Sequence, residues 1–175
     1  MKFQHVRLHG FGYELPPNVI TSDAIEERLA PVYVKLKLPK GRLELMSGIK
    51  ERRFWEKGTR PSDAAVLAGQ KALAASGLPA SELGCLIFTS VSRDMMEPAT
   101  ASFVHNQLAL PERCLVFDIS IACLGFLDGM IFLANMIELG QVKCGLLVAG
   151  ETAEDLLEST IRNLAADKTL TRKSI

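Results

Sequence analysis

The chain is poor in the residues that build metal centres and disulfide frameworks. It has 4 cysteines and 3 histidines among 175 residues. Cys85, Cys114, Cys123 and Cys144 form no CxxC pair, and three of them sit inside apolar strand-like runs, so neither a zinc site nor a disulfide scaffold is expected. His5, His9 and His105 have no second histidine or carboxylate at ligand spacing, so no metal is expected either. Charge of one sign is also missing: 20 basic residues face 20 acidic ones, scattered along the chain, which leaves no footprint for nucleic acid or acidic lipid. No stretch of about 18 uncharged apolar residues occurs, and polar residues interrupt every short apolar run of "MKFQHVRLHGFGYELPP". Stable membrane insertion is not expected, and the setting expected is cytoplasmic.

What is present is an apolar fraction of 48%, enough for a substantial core. Residues 6–13 read as a first strand ended by "LPPN". "TSDAIEERLAPVYVKL" reads as a helix with Ser22 as its N-cap, and "MSGIKERRFWEKGTRP" as a charged connection. "SDAAVLAGQKALAASG" predicts a small-residue helix capped by Ser62 and stopped by Gly77. The apolar run "LGCLIFTSVS" predicts a strand covered on both faces. The helix "PATASFVHNQLAL" follows, with Pro98 in its first turn, then the strand "CLVFDIS". A helix from about Cys123 to Leu139, Gly140 as its terminator, and the strand "CGLLVAGE" complete the series. Strands alternating with helices argue for an α/β fold with a mostly parallel sheet and helices on both faces.

The helix after Cys123 is apolar on nearly all sides, with only Asp128, Asn135 and Glu138 strongly polar, and such a helix belongs in the middle of a larger protein. The polar tail "RNLAADKTLTRKSI" supplies no closing strand. More protein is expected to cover the helix.

A lone cysteine in an apolar segment is most often inert core, and that reading fits Cys85, Cys114 and Cys144. Cys123 differs because it follows a strand and opens a helix, two residues before Gly125. Such an elbow projects the side chain outward, and a helix N-terminus favours a thiolate. Placement alone fits a nucleophile and a structural cysteine equally well.

Several segments together, "SGIKERRFW", "SDAA", "FTSVSRD", "FDISIACLGFLDGM" and "LLVAGET", resemble in order and spacing the N-terminal half of thiolase-fold condensing enzymes of the β-ketoacyl-ACP synthase III type. "TSVSRDMMEPATAS" with "ACLGFLDGM" and "GETA" resembles more narrowly the OleA-type acyl-CoA condensing enzymes of bacterial olefin biosynthesis. The resemblance implies a thiolase-like αβαβα layered fold, of which residues 1–175 supply the N-terminal βα half. It implies an acyltransferase that joins two fatty acyl-CoA thioesters by Claisen condensation to a 2-alkyl-3-keto acid, with Cys123 carrying the acyl group. CoA thioester then enters as substrate, with no separate cofactor. The alternatives are a decarboxylating synthase III using malonyl-ACP, and a non-catalytic half that serves as an interaction subunit.

A condensation without decarboxylation needs a base to remove an α-proton. Glu97, in "MMEPA", has hydrophobic neighbours that would desolvate it and raise its pKa. Read from its residues alone, Glu97 complements the positive end of the helix starting near Pro98. The resemblance implies instead a base that reaches across a homodimer interface into the partner's site. Arg52 and Arg53 are candidates for CoA phosphates or plain solvated arginines, and Lys50 stands where the synthase III pattern has an arginine. Phe54 and Trp55 line an entrance or simply pack, and His105 fits a structural histidine. The family's histidine and asparagine come from a second half, so a companion C-terminal half is expected. Long-chain acyl-CoA or acyl-ACP is the expected small-molecule partner.

Overall fold

A computed structural model describes residues 2–172. In chain order the elements are β1 (Asn18–Thr21), α1 (Ser22–Arg28), α2 (Ala30–Leu36), α3 (Arg42–Ser47), β2 (Glu51–Phe54), α4 (Pro61–Ser76), β3 (Cys85–Phe88), α5 (Thr100–Gln107), β4 (Leu115–Asp118), α6 (Gly125–Glu138), β5 (Gly145–Val148) and α7 (Glu154–Ala166). They fall into two compact units, one of residues 2–14 with 59–151 and one of residues 15–58 with 152–172.

The first unit is a parallel sheet of order β4-β3-β5, in which Cys85 registers with Leu115 on one side and Gly145 on the other. The central strand is buried on both faces, as its continuous apolar run requires. Side chains alternate across it. Leu86 and Phe88 join Ala65, Val66, Ala101, Val104, Leu146 and Val148 in the layer with α4 and α5, while Cys85 and Ile87 meet Leu133 and Met136 of α6 on the other face. Two glycines let α6 lie close to the sheet. A Cβ on Gly125 would sit 3.0 Å from the Thr89 carbonyl oxygen, and one on Gly129 would sit 2.6 Å from Leu147 Cδ1.

The strand expected at residues 6–13 is not formed among the described residues. The segment lies instead against α4, where a Cβ on Gly12 would stand 2.4 Å from the Ala72 amide nitrogen, and Glu14 pairs with Lys71 at 2.7 Å. α4 starts two residues earlier than expected, at Pro61, with Arg60 and not Ser62 as its N-cap, and Asp63 accepts from the Arg60 amide at 3.1 Å. Gly77 ends it at φ 68°, as expected. α5 begins at Thr100, so Pro98 precedes the helix rather than occupying its first turn.

The second unit pairs β1 with β2 antiparallel, Asn18 opposite Phe54, so part of the expected charged connection is a strand. The single helix expected over 21–36 is broken at Leu29, with Pro31 opening α2. Thr21, not Ser22, is the N-cap, its hydroxyl accepting from the Ala24 amide at 3.1 Å. Ser22 is buried, donates to the Ile49 carbonyl and accepts from Arg52 at 2.8 Å. The Glu26 carboxylate is buried and accepts from the Gly41 amide at 2.7 Å, the Leu43 amide at 2.6 Å and the Tyr33 hydroxyl at 2.9 Å. Burial alone would raise the Glu26 pKa, but these donors outweigh it and hold the carboxyl below its usual range. Burial and the adjacent Glu26 charge push Tyr33 up to about 12. Of the C-terminal tail, residues 173–175 lie outside the described residues; no strand follows β5 among those described.

Candidate active site

Ligands of open α/β sheets gather beyond the carboxyl ends of the strands, and the chemistry-bearing loops of the first unit emerge there. Thr89 extends the end of β3 by bonding the Val148 carbonyl twice, through its amide at 2.9 Å and its hydroxyl at 3.1 Å. Ile119 donates to the Phe88 carbonyl at 2.8 Å, locking the end of β4 beside it. Ala122 then adopts φ +37°, a left-handed backbone that costs a non-glycine residue about 1–3 kcal/mol. Cys123 follows in a one-turn 3-10 helix, Ala122–Leu124, and α6 starts at Gly125. The expected elbow is therefore present, with Cys123 in the turn ahead of the α-helix.

Cys123 is exposed. The other three thiols are disfavoured as nucleophiles: burial pushes Cys85 up to about 11 and also raises Cys114 and Cys144.

Glu97 lies between β3 and α5 and is exposed, as are its neighbours Met95 and Met96. The hydrophobic enclosure expected around Glu97 is therefore not formed among the described residues. It makes no hydrogen bond to Cys123. Pro98, joined to Glu97 by a cis peptide bond, leads into α5.

Three carboxylates that the sequence reading passed over hold this loop. Asp118, at the end of β4, accepts from the first amides of α5, Thr100 at 2.8 Å and Ala101 at 2.9 Å. Asp94, only 2% exposed at its side chain, accepts from the Ser62 amide at 2.9 Å and the Ser62 hydroxyl at 2.6 Å. Glu151, past the end of β5, accepts from the Val91 amide at 2.8 Å and from the Ser92 amide and hydroxyl at 3.1 and 2.7 Å. Asp118 and Glu151 stand at or just past a strand's carboxyl end, where loop amides need acceptors, but the sequence does not show which amides they meet, and Asp94 lies farther along its loop.

The remaining candidates have structural partners or none of functional kind. Arg52 is committed to Ser22, Arg53 donates to the Pro16 carbonyl at 3.3 Å, and Phe54 is buried. His105 contacts the Pro111 carbonyl at 3.1 Å. The outer face of α6 is unlike that of an ordinary surface helix: Phe126, Leu127, Met130, Ile131 and Phe132 are all exposed, Leu127 at 57%. Among the described residues no group of three or more histidine, cysteine or acidic residues is placed to hold a metal, and no helix is long and apolar enough to cross a membrane.

The family profile of 3-Oxoacyl-[acyl-carrier-protein (ACP)] synthase III matches residues 117–167, from the end of β4 through α7. Acyl-CoA:acyl-CoA alkyltransferase of Shewanella oneidensis is 45% identical over 170 residues, which is 97% of this chain and 49% of that protein. The Xanthomonas campestris protein of the same name is 40% identical over 166 residues, 95% of this chain and 49% of its own. The chain thus spans about half the length of the curated relatives it matches. Among solved structures, acetamide-bound Xanthomonas campestris OleA superimposes with a TM-score of 0.94 at 38% identity, over 99% of this chain and 53% of that one. A cysteine-to-serine variant of that OleA with bound lauric acid and lauroyl-CoA gives 0.93 at 38% identity, over 99% and 51%. Other structures of it carry substitutions at a glutamate and at a histidine. The fold of the chain is accordingly one half of a thiolase-like architecture.

Proposed function

From a chain homologous to the acyl-CoA:acyl-CoA alkyltransferases and the synthase III proteins, we propose that residues 1–175 form the N-terminal half of an acyl-CoA condensing enzyme. Cys123 attacks the carbonyl carbon of a fatty acyl-CoA, CoA leaves as its thiolate, and an acyl-cysteine thioester forms. Glu97 of the partner subunit takes an α-proton from a second acyl-CoA. The carbanion attacks the acyl-cysteine carbonyl, expelling the Cys123 thiolate, and hydrolysis of the remaining CoA thioester releases a 2-alkyl-3-keto acid. Backbone N–H groups at the elbow, that of Cys123 included, would stabilise the oxyanion in both attacks. A homodimer and a companion C-terminal half belong to the same reading.

The observation that carries the proposal is the placement of an exposed cysteine at a strained turn between β4 and α6. Two further observations support it. The substituted glutamate and cysteine of Xanthomonas campestris OleA are separated by the same number of residues as Glu97 and Cys123 here. Its substituted histidine lies farther past that cysteine than residue 175 lies past Cys123, in keeping with a histidine supplied by the companion half. The exposed apolar face of α6 is the surface such a half would cover. Four unpaired cysteines fit a cytoplasmic setting.

The test supplies the complete protein with one long-chain acyl-CoA and measures free CoA together with a β-keto acid or the ketone from its decarboxylation. Product formation without a malonyl donor supports the proposal. Turnover only after malonyl-ACP is added would favour the decarboxylating reading, which rests on the synthase III match and on relatives such as the Koribacter versatilis synthase III, 32% identical over 159 residues.

A further inference from the structure

The loop that carries Glu97 is footed at both ends and free in the middle. Glu151 binds Val91 and Ser92 at its start, and Asp94 turns inward onto Ser62 while its own amide donates to the Thr100 hydroxyl at 3.3 Å. Asp118 binds Thr100 and Ala101 at its end. Between these feet only residues 95–98 project, all exposed, with Met96 at 86%. A carboxylate offered from such a tip is only as well placed as its feet.

Of the three feet, Asp94 and Asp118 also hold helix starts, so their loss would disturb α4 and α5 directly. Glu151 is different. It is exposed, it extends past the end of β5, and all of its three hydrogen bonds go to the two residues that begin the loop. An exposed carboxylate gains little by staying in one rotamer, yet here two backbone amides and a hydroxyl converge on it and fix the loop against β5.

We infer that Glu151 is a positioning residue for Glu97: it sets the direction in which residues 95–98 project, and with it the reach of the base. The inference rests on the reading of Glu97 as the base of the condensation step. It assigns Glu151 no contact with substrate. Its effect is expected on condensation and not on acylation of Cys123, because Glu97 enters only when the second acyl-CoA is deprotonated.

The experiment uses the complete protein and four forms: Glu151→Ala, Glu151→Gln, Glu97→Gln and the double variant Glu97→Gln/Glu151→Ala. Acylation of Cys123 is followed by intact mass in a single turnover, condensation by β-keto product, and the loop by amide hydrogen exchange of a peptide spanning residues 89–99. Glu151→Ala is expected to slow condensation about 10- to 100-fold, the scale of an ångström-sized misplacement of a reacting group. Acylation stays unchanged, and exchange speeds up in that peptide alone. Glu151→Gln should recover part of the loss, since an amide oxygen still accepts from one loop N–H. In the Glu97→Gln background, Glu151→Ala should add nothing further, the mark of two residues acting as one unit. Unchanged condensation in Glu151→Ala, or acylation falling in step with it, overturns the inference. Full condensation in Glu97→Gln overturns the underlying reading of the base instead, and the two failures are thereby told apart.

Discussion

Gly125→Ala should separate stability from catalysis, because the added methyl meets a wall that cannot move and stands two residues from Cys123. Its Cβ would sit 3.0 Å from the Thr89 carbonyl oxygen, closer than nearly all real Cβ contacts. That oxygen is held in place, since Thr89 is bonded to the Val148 carbonyl by both amide and hydroxyl. The start of α6 must therefore give by a few tenths of an ångström. Overpacking of this kind costs about 1–3 kcal/mol, and alanine returns about 0.8–1 kcal/mol of helix propensity over glycine. The net loss should be about 0–2 kcal/mol, visible as a small fall in urea midpoint. Acylation should suffer more, because the displaced helix start carries the turn that aims Cys123. Gly129→Ala is the control: its closest neighbours are the side-chain ends Leu147 Cδ1 and Thr89 Cγ2, at 2.6 and 2.9 Å, one helical turn farther from the cysteine. In the complete protein, the rate of Cys123 acylation by a long-chain acyl-CoA should fall at least tenfold in Gly125→Ala, a change of about 1.4 kcal/mol in barrier, and less in Gly129→Ala. Equal rates in Gly125→Ala and the parent would refute the claim that α6 aims the cysteine.

Glu26→Ala removes a buried acceptor from two amides and a tyrosine and should cost about 3–5 kcal/mol, read from urea midpoints. The folded pKa of Glu26 lies below its ordinary value of 4.5, so its contribution is complete above that pH and is lost as pH falls through the folded pKa; Glu26→Gln should flatten this acid-side decline in stability. Asp118→Ala unties the start of α5 and should destabilise by about 0.5–2 kcal/mol, the range of a lost N-cap, in thermal unfolding. Leu127→Asp tests the covering of α6: at a site that stayed exposed in the complete protein the change would fall within about 0.5 kcal/mol, whereas burial under a companion half makes it cost several times more in the same assay.

The alternation of strand and helix was legible because the strands of the first unit are short, largely apolar runs set between helical stretches. "CLIF" is buried throughout, "GLLV" in part, and "LVFD" is half-buried with Leu115 exposed, while Gly77 and Gly140 end their helices where expected, both in the left-handed conformation. Residues 6–13 misled because strand propensity says nothing about which backbone is free to pair: Gly10 and Gly12 put this segment against α4. The break at Leu29 was hidden because Pro31 is tolerated in the first turn of a new helix as readily as it ends an old one. At the candidate site, the strand-to-helix turn at Cys123 was legible in the sequence, and so was the exposed apolar character of α6. Asp94, Asp118 and Glu151 were not, since a carboxylate's amide partners come from loops distant in sequence: Glu151 reaches back to Val91, and Asp118 to Thr100. Glu97 was singled out by its motif, while its exposure within this chain is a property only three dimensions display.

The most direct measurement is the mass of the complete protein after brief exposure to one long-chain acyl-CoA, followed by peptide mapping. A single acyl adduct on Cys123 is expected, formed with release of one CoA and absent from Cys123→Ala. An unmodified Cys123 in protein that still forms the β-keto product, or an adduct that persists in Cys123→Ala, would contradict it.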